Sequence, residues 1–271
     1  MGAVKTALAF KALSADTTDL LGLDAVASTA TLESFSFNIS PTEADGAGLG
    51  QAYGFAQLCK IATSIDAKCK MVGTTARTTN LDISVFSIGG VDYLGTLKSG
   101  SVKVVNATAD GSGVADKFTY PNAVGSTITM TGKLLVPTVI HALLTAAMSA
   151  TITTRNVALV ITIGGITVTA PMLLASVVHT ATRGGLQELD ITLSGRGTPT
   201  TPATPASIYV TAITGTAACT IWADTGAGQY GLTGARIPCI IEECSFDFAD
   251  GAIVTNSWKF GLQGTVAYAT T

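Results

Sequence analysis

Hydrophobic and polar positions alternate at period two along much of this chain, and glycine and proline interrupt the alternation. The clearest stretch is 81–132. Leu81, Ile83, Val85 and Ile88 lead into Gly89-Gly90, and Val91 opens a return strand. Ser101-Val-Lys-Val-Val105 follows, then a polar loop, then Ile128-Thr-Met-Thr-Gly132. A shortened version recurs: Leu159-Val-Ile-Thr-Ile163, Gly164-Gly165, Ile166-Thr-Val168, Ser176-Val-Val178 and Ile191-Thr-Leu-Ser-Gly195. The closing motifs of the two stretches match closely. They read as a candidate duplicated β module, and Glu33-Ser-Phe-Ser-Phe37 against Cys244-Ser-Phe-Asp-Phe248 is a second echo.

The rest of the chain is read in the same way. Residues 1–30 read either as an arm that orders against a neighbour or as a short first strand or helix of the same domain, with Thr17-Thr18-Asp19 suited to cap a helical turn. Phe35, Phe37 and Ile39 share one face of a strand that Pro41 ends. Phe55, Leu58, Cys59, Ala62 and Ile65 recur every three to four residues and predict a helix over 51–70. Asn106 to Gly125 is a polar loop of roughly 20 residues, long enough to suggest a functional element, and Phe118 and Tyr120 alternating with polar residues near its end read as part of an extended hairpin arm or as a surface loop. Thr138 to Ala150, with Pro137 before it, predicts a second helix. The run 197–207 is a proline-rich connector. A hairpin around Gly215 follows, then a strand over 237–248, an Asp250-Gly251 turn and a terminal strand carrying Trp258, Phe260, Leu262, Val266 and Tyr268. The expected fold is mainly β with two short α-helices, built as β-sandwich or barrel modules that complete a barrel by oligomerisation. The division is 1–30 arm, 31–150 first β module with helices, and 151–271 second β module.

Composition adds one strong point. Charged residues are 12% of the 271 and hydrophobic ones 47%, so the surface carries about half the usual charge. Either permanent subunit contacts hide area, or the surface is built of Thr, Ser and Gly; we expect the former. A net charge of −3 argues against a protein that grips phosphates, and is compatible with nucleic acid sliding past. No 18-residue apolar run predicts a membrane helix, and Ala3 to Phe10, broken by Lys5, is too short for a secretory signal. Cys59, Cys69, Cys219, Cys239 and Cys244 show no ligand spacing and read as buried reduced thiols of an intracellularly assembled protein.

Candidate chemistry is sparse. His141 and His179 are isolated, and no nucleophile turn or phosphate loop occurs; Gly46 to Gly50 is a turn. Adjacent Glu242 and Glu243 should face opposite ways on a strand. Glu188 and Asp190 share a face beside Gly184-Gly185, with His179 and Arg183 nearby, but a solvated strand face outweighs a cation site there. We expect no catalytic residue, cofactor or metal, and no enzyme.

The arm, the β module with its long loop, the flanking helix and the ending Ile240-Ile-Glu-Glu-Cys-Ser-Phe-Asp-Phe-Ala-Asp-Gly-Ala-Ile-Val-Thr-Asn-Ser-Trp-Lys-Phe-Gly-Leu-Gln-Gly-Thr-Val together resemble a bacteriophage tail tube (major tail) protein. The resemblance covers 31–135 and 157–268. It implies stacked rings around a channel that conducts DNA without specific binding, with strands pairing between subunits. It also implies that the loop and arm meet the next ring, through Asp110, Asp116, Lys117, Phe118, Tyr120 and Phe10. The implied partners are further copies of the chain and other tail proteins, with no membrane, and the implied location is the virion, assembled in the host cytoplasm. A duplicated chain would make trimers of pseudo-sixfold symmetry, and a single module hexamers. Capsid or decoration proteins with β-barrel domains, and secreted β-rich binding domains, remain the alternative readings.

Overall fold

The computed structural model describes residues 12–15, 18–19, 30–45, 56–71, 83–112, 118, 120–135, 140–163, 166–200, 218–224, 236–252 and 254–263. Its strands are β1 (Ala12–Ala15), β2 (Thr18–Asp19), β3 (Ala30–Asp45), β4 (Ala56–Met71), β5 (Ile83–Ile88), β6 (Val91–Asp92), β7 (Leu97–Asp110), β8 (Pro121–Leu135), β9 (Asn156–Ile163), β10 (Ile166–Thr180), β11 (Glu188–Gly195), β12 (Ala218–Asp224), β13 (Arg236–Ala249) and β14 (Thr255–Leu262). Two short helices, α1 (Ile140–Met148) and α2 (Ile152–Arg155), interrupt them. The mainly β expectation holds.

All strand pairings are antiparallel, and one hydrogen-bonded path runs β2-β1-β12-β13-β7-β8-β11-β10-β9-β5-β6. On a side branch, β14 joins β13 to β4, and β4 carries β3. The path is not closed into a barrel. Its last strand, β6, nevertheless leads through the 3-10 turn Leu94–Thr96 directly into β7, so the sheet curls back on itself. Alternate residues of β7, β8, β10, β11, β13 and β14 point into one continuous core, which includes Phe86, Tyr93, Met130, Leu134, Leu159, Leu174, Leu193 and Phe260. Trp258 and Phe260 stack within it, ring centroids 5.8 Å apart.

The tight turn after β5 follows from its two glycines. Gly89 and Gly90 have φ of 60° and 82°, and two successive positive φ values make the hairpin turn whose twist matches flanking strands. Ile88 pairs with Val91 across it. The second hairpin has the same register, Ile163 opposite Ile166.

The helix expected over 51–70 is corrected: 56–71 is β4, held between β3 and β14. Its Thr63, Ile65 and Ala67 are buried while Lys60, Ala62, Ser64 and Asp66 are only half-buried, so the true period is two. Tertiary pairing on both edges overrides a weak helical pattern. Thr18 and Asp19 do not cap a helix either; as β2 they pair with Ala15 and Ser14. The described part of the arm, β1, pairs with β12 of its own chain. The roughly 20-residue loop shrinks to 111–120, because β7 runs to Asp110 and β8 starts at Pro121. The second predicted helix is α1. The strand at 208–214 and the tail beyond Gln263 lie outside the described residues.

Candidate assembly surface

Two ribbons extend past the body of the sheet. β4 is paired to β14 only from Ser64 to Lys70, and beyond that point β3 and β4 pair with each other as far as Asp45 and Ala56. β7 leaves β13 after Val105, and β7 and β8 continue together from Asn106 to Asp110 and from Pro121 to Ser126.

The departure of β7 coincides with an irregularity in β13. β13 carries a bulge between Ile241 and Glu243. Before it Cys239 and Ile241 are buried; after it Cys244, Phe246 and Phe248 are buried, so the phase slips by one residue. Before the bulge the edge of β13 is taken by β12 instead of β7. Asn106, 4% exposed, replaces the lost ladder contact: its Nδ2 donates to the Ile241 carbonyl at 2.6 Å, and its Oδ1 accepts from Ser126 Oγ. Pro121 then lies over Gly261, where a β-carbon would meet the Pro121 ring at 3.0 Å and collide with Glu242. Gln263 Nε2 donates to the Pro121 carbonyl at 2.6 Å. Gly261 therefore serves close approach rather than a kink.

Asp110 ties the two ribbons together. Its Oδ2 accepts from Lys60 Nζ on β4 at 2.8 Å. Its Oδ1 accepts from the Ser112 amide at 2.9 Å and the Tyr120 amide at 3.3 Å. Lys60 also donates to Ser112 Oγ. The Lys60 ammonium, followed by Ser112, holds the Asp110 carboxyl well below the usual carboxylate range. Nearby, Ile61 and Phe118 form a parallel bridge, and the Gly111 amide donates to the Tyr120 carbonyl at 2.9 Å. Of the expected interface residues, the structure brings together Asp110, Phe118 and Tyr120, the two aromatics half-buried. Asp116, Lys117 and Phe10 lie outside the described residues. Sequence reasoning missed Lys60 and Asn106; for Lys60 the period-two phase of β4 was the available signal.

The remaining candidates resolve into ion pairs across neighbouring strands. Glu188 bridges Lys98 at 2.5 Å and Lys133 at 2.9 Å, and Lys133 reaches Asp190 at 3.2 Å. Lys98 first, then Lys133, lowers the Glu188 carboxyl to about 2, and Glu188 raises Lys133 in return. His179 Nε2 contacts Gln187 Oε1 at 3.1 Å, and Arg183 is exposed. Glu242 and Glu243 do not face opposite ways. The bulge puts both on the polar face, where Glu242 pairs with Lys259 and Glu243 with Lys103, each at 2.8 Å. Among the described residues no three His, Cys, Asp or Glu side chains gather as metal ligands, and no helix is long and apolar enough to cross a membrane.

The outer edge of β3 is open among the described residues: this strand of 16 residues pairs with β4 alone. Glu33, Ser34, Ser36, Ile39, Pro41 and Thr42 along it are exposed, Ile39 by 52%.

No family model matches the chain, and no curated protein matches it by sequence. Among solved structures, a chain described as "Virion of native gene transfer agent (GTA) particle" aligns at 10% identity with a TM-score of 0.36, covering 44% of this chain and 95% of that one. A likeness at that level carries no argument about fold or function.

Proposed function

We propose that this chain is a structural virion protein that polymerises as stacked rings into a phage tail tube. The observation that carries the reading is the pair of braced ribbons. They project backbone beyond the sheet, and the Lys60–Asp110 pair with the Ile61–Phe118 bridge fixes them to each other. A surface element held this firmly is prepared to meet a neighbour with little further ordering. The β3 edge supplies the second need of a ring, a row of backbone groups that a neighbouring strand completes. In the assembled tube, β3 pairs sideways with the next subunit, and the β7–β8 tip with Asp110, Phe118 and Tyr120 faces the next ring. The low charge of the chain suits extensive burial between subunits, and its net negative charge lets DNA pass without being held. The protein acts through assembly and performs no catalysis.

Electron microscopy of the purified protein tests this reading. Rings or tubes are expected at high protein concentration. A monomer that persists there overturns it, and closed shells would point to a capsid role instead.

A further inference from the structure

The two closing motifs do more than resemble each other: they are hydrogen-bonded neighbours, paired motif against motif. In the β8–β11 ladder Gly132 faces Ile191, Thr131 faces Thr192, Met130 faces Leu193 and Thr129 faces Ser194. Aligned as Ile128-Thr-Met-Thr-Gly132 on Ile191-Thr-Leu-Ser-Gly195, Met130 lies opposite its own counterpart. The two glycines complete the reciprocity. A β-carbon on Gly132 would press on the flexible end of Met130 at 2.8 Å and meet Ile191 Cγ1 across the seam at 3.3 Å, and one on Gly195 would collide with Ile128. The same relation holds at a second seam. Aligning the two hairpin turns makes Phe86 the counterpart of Ile161, and these two face each other in the β5–β9 ladder. Both residues are buried, as are Met130 and Leu193.

The lengths between these points agree. β10 runs unbroken from the hairpin to β11, pairing β9 over Ile166 to Leu173 and β11 over Met172 to Thr180. Its counterpart is β6 plus β7, pairing β5 and then β8. Val91 matches Ile166 at the turn, and Val102, facing Met130, matches Leu174, facing Leu193. The first copy is three residues longer over this interval, the size of its 3-10 turn Leu94–Thr96.

We infer that 83–135 and 156–195 are two copies of one module, joined about a local twofold axis that passes through both seams. The surface between them is then a self-complementary contact of the kind found in a twofold dimer, made within one chain. This has a consequence for the ring, and here it rests on the proposed function. A ring closes through head-to-tail contacts, in which different surfaces meet. A seam in which each copy presents the same surface cannot also be the contact that repeats around a ring. The module pair is therefore the assembling unit. Each chain occupies one position in the ring, and the trimer of pseudo-sixfold symmetry, in which each half would occupy one, is disfavoured.

Reciprocal substitution tests the seam without reference to assembly. Gly132→Ala and Gly195→Ala should each lower Tm by roughly 3–10 °C through overpacking. Ile191→Ala and Ile128→Ala each cost stability on their own, so the rescue is read as coupling in double-mutant cycles: the penalty of Gly132→Ala should shrink in the Ile191→Ala background only, and that of Gly195→Ala in the Ile128→Ala background only. Coupling in the crossed combinations, or in neither, overturns the twofold pairing. If the pairing stands, rotational averaging of ring images should give a symmetry equal to the number of chains per ring counted by native mass spectrometry. Twice that number would overturn the one-position inference. Failure to form rings would count against the proposed function alone, leaving the seam to be judged by the coupling.

Discussion

Asn106→Ala probes the point where the β7–β8 ribbon leaves the sheet. The side chain spans a gap in the ladder, donating to the Ile241 carbonyl at 2.6 Å from a site only 4% exposed. Alanine leaves that carbonyl without its donor in a place water enters poorly. A buried acceptor stripped of its partner costs about 1–3 kcal/mol. The second bond, to Ser126 Oγ, adds less because Ser126 is exposed and water replaces it. For a chain of this size each kcal/mol moves Tm by about 2–4 °C, so a fall of roughly 3–10 °C is expected by circular dichroism. Ser126→Ala should cost less than about 0.5 kcal/mol. Asn106→Asp separates hydrogen bonding from volume, since an ionised carboxylate cannot donate to the carbonyl. At neutral pH it should be less stable than the alanine variant, because a buried charge then faces an acceptor. The carboxyl regains a donor hydrogen when protonated, so the deficit should shrink as pH falls. If Asn106→Ala shifts Tm by less than about 1 °C, the side chain does not replace the ladder as argued.

Three further outcomes follow from the same contacts. Lys60→Met keeps the apolar stem but removes the bridge to Asp110, and should leave Tm within about 2 °C while amide exchange at 107–110 accelerates several-fold; unchanged exchange would mean that the ribbons hold each other by other contacts. Gly261→Ala forces Pro121 and Glu242 apart and should destabilise by about 1–3 kcal/mol, measurable by urea unfolding, with Glu242→Ala in the same chain recovering part of it. Glu188 has its folded pKa lowered to about 2 from 4.5. Its contribution is therefore present above pH 4.5 and is lost as pH falls toward 2, and Glu188→Gln should flatten the Tm profile in that window while leaving its shape above pH 5 alike.

The strands that the sequence made legible are those with period two on a buried face: β7, β8, β9, β11 and β14 all carry apolar residues at alternate positions, and the glycine pair announced the first hairpin. β4 was missed because Ala62, on its polar face, is small and apolar enough to join a helical stripe, although Ile61, Thr63, Ile65 and Ala67 already stand at period two against Lys60, Ala62, Ser64, Asp66 and Lys68. The long loop was overestimated for the opposite reason. Residues 107–110 and 122–126 are mostly small or polar and all exposed, Val124 included, because the ribbon has left the core, and an exposed ribbon shows no buried apolar face to read. Of the candidate site, Asp110, Phe118 and Tyr120 were reachable from the loop's aromatics and charges. The period-two phase of β4 marks Lys60 as a polar-face position but not its partner, since Asp110 lies 50 residues away and the two meet only through the tertiary fold.

The bulge in β13 is a local phase slip that coincides with a change in strand partners. Cys239 and Ile241 hold one phase, Cys244, Phe246 and Phe248 the other, and two glutamates fill the step between them. A continuous strand would have buried one of those carboxylates in an apolar core, at a cost of several kcal/mol unless it were paired there. The extra residue keeps both on the polar face beside Lys259 and Lys103. At the same step the partner on this edge of β13 changes: β7 pairs with it from Glu243 to Ala249, and β12 with its first part, Arg236 to Ile240. Past Val105 β7 runs out as a ribbon with β8, and Asp110 meets Lys60 there. The sequence position that marks this departure is thus not in the loop that forms the ribbon's tip but at the Glu242-Glu243 step, where the apolar phase changes.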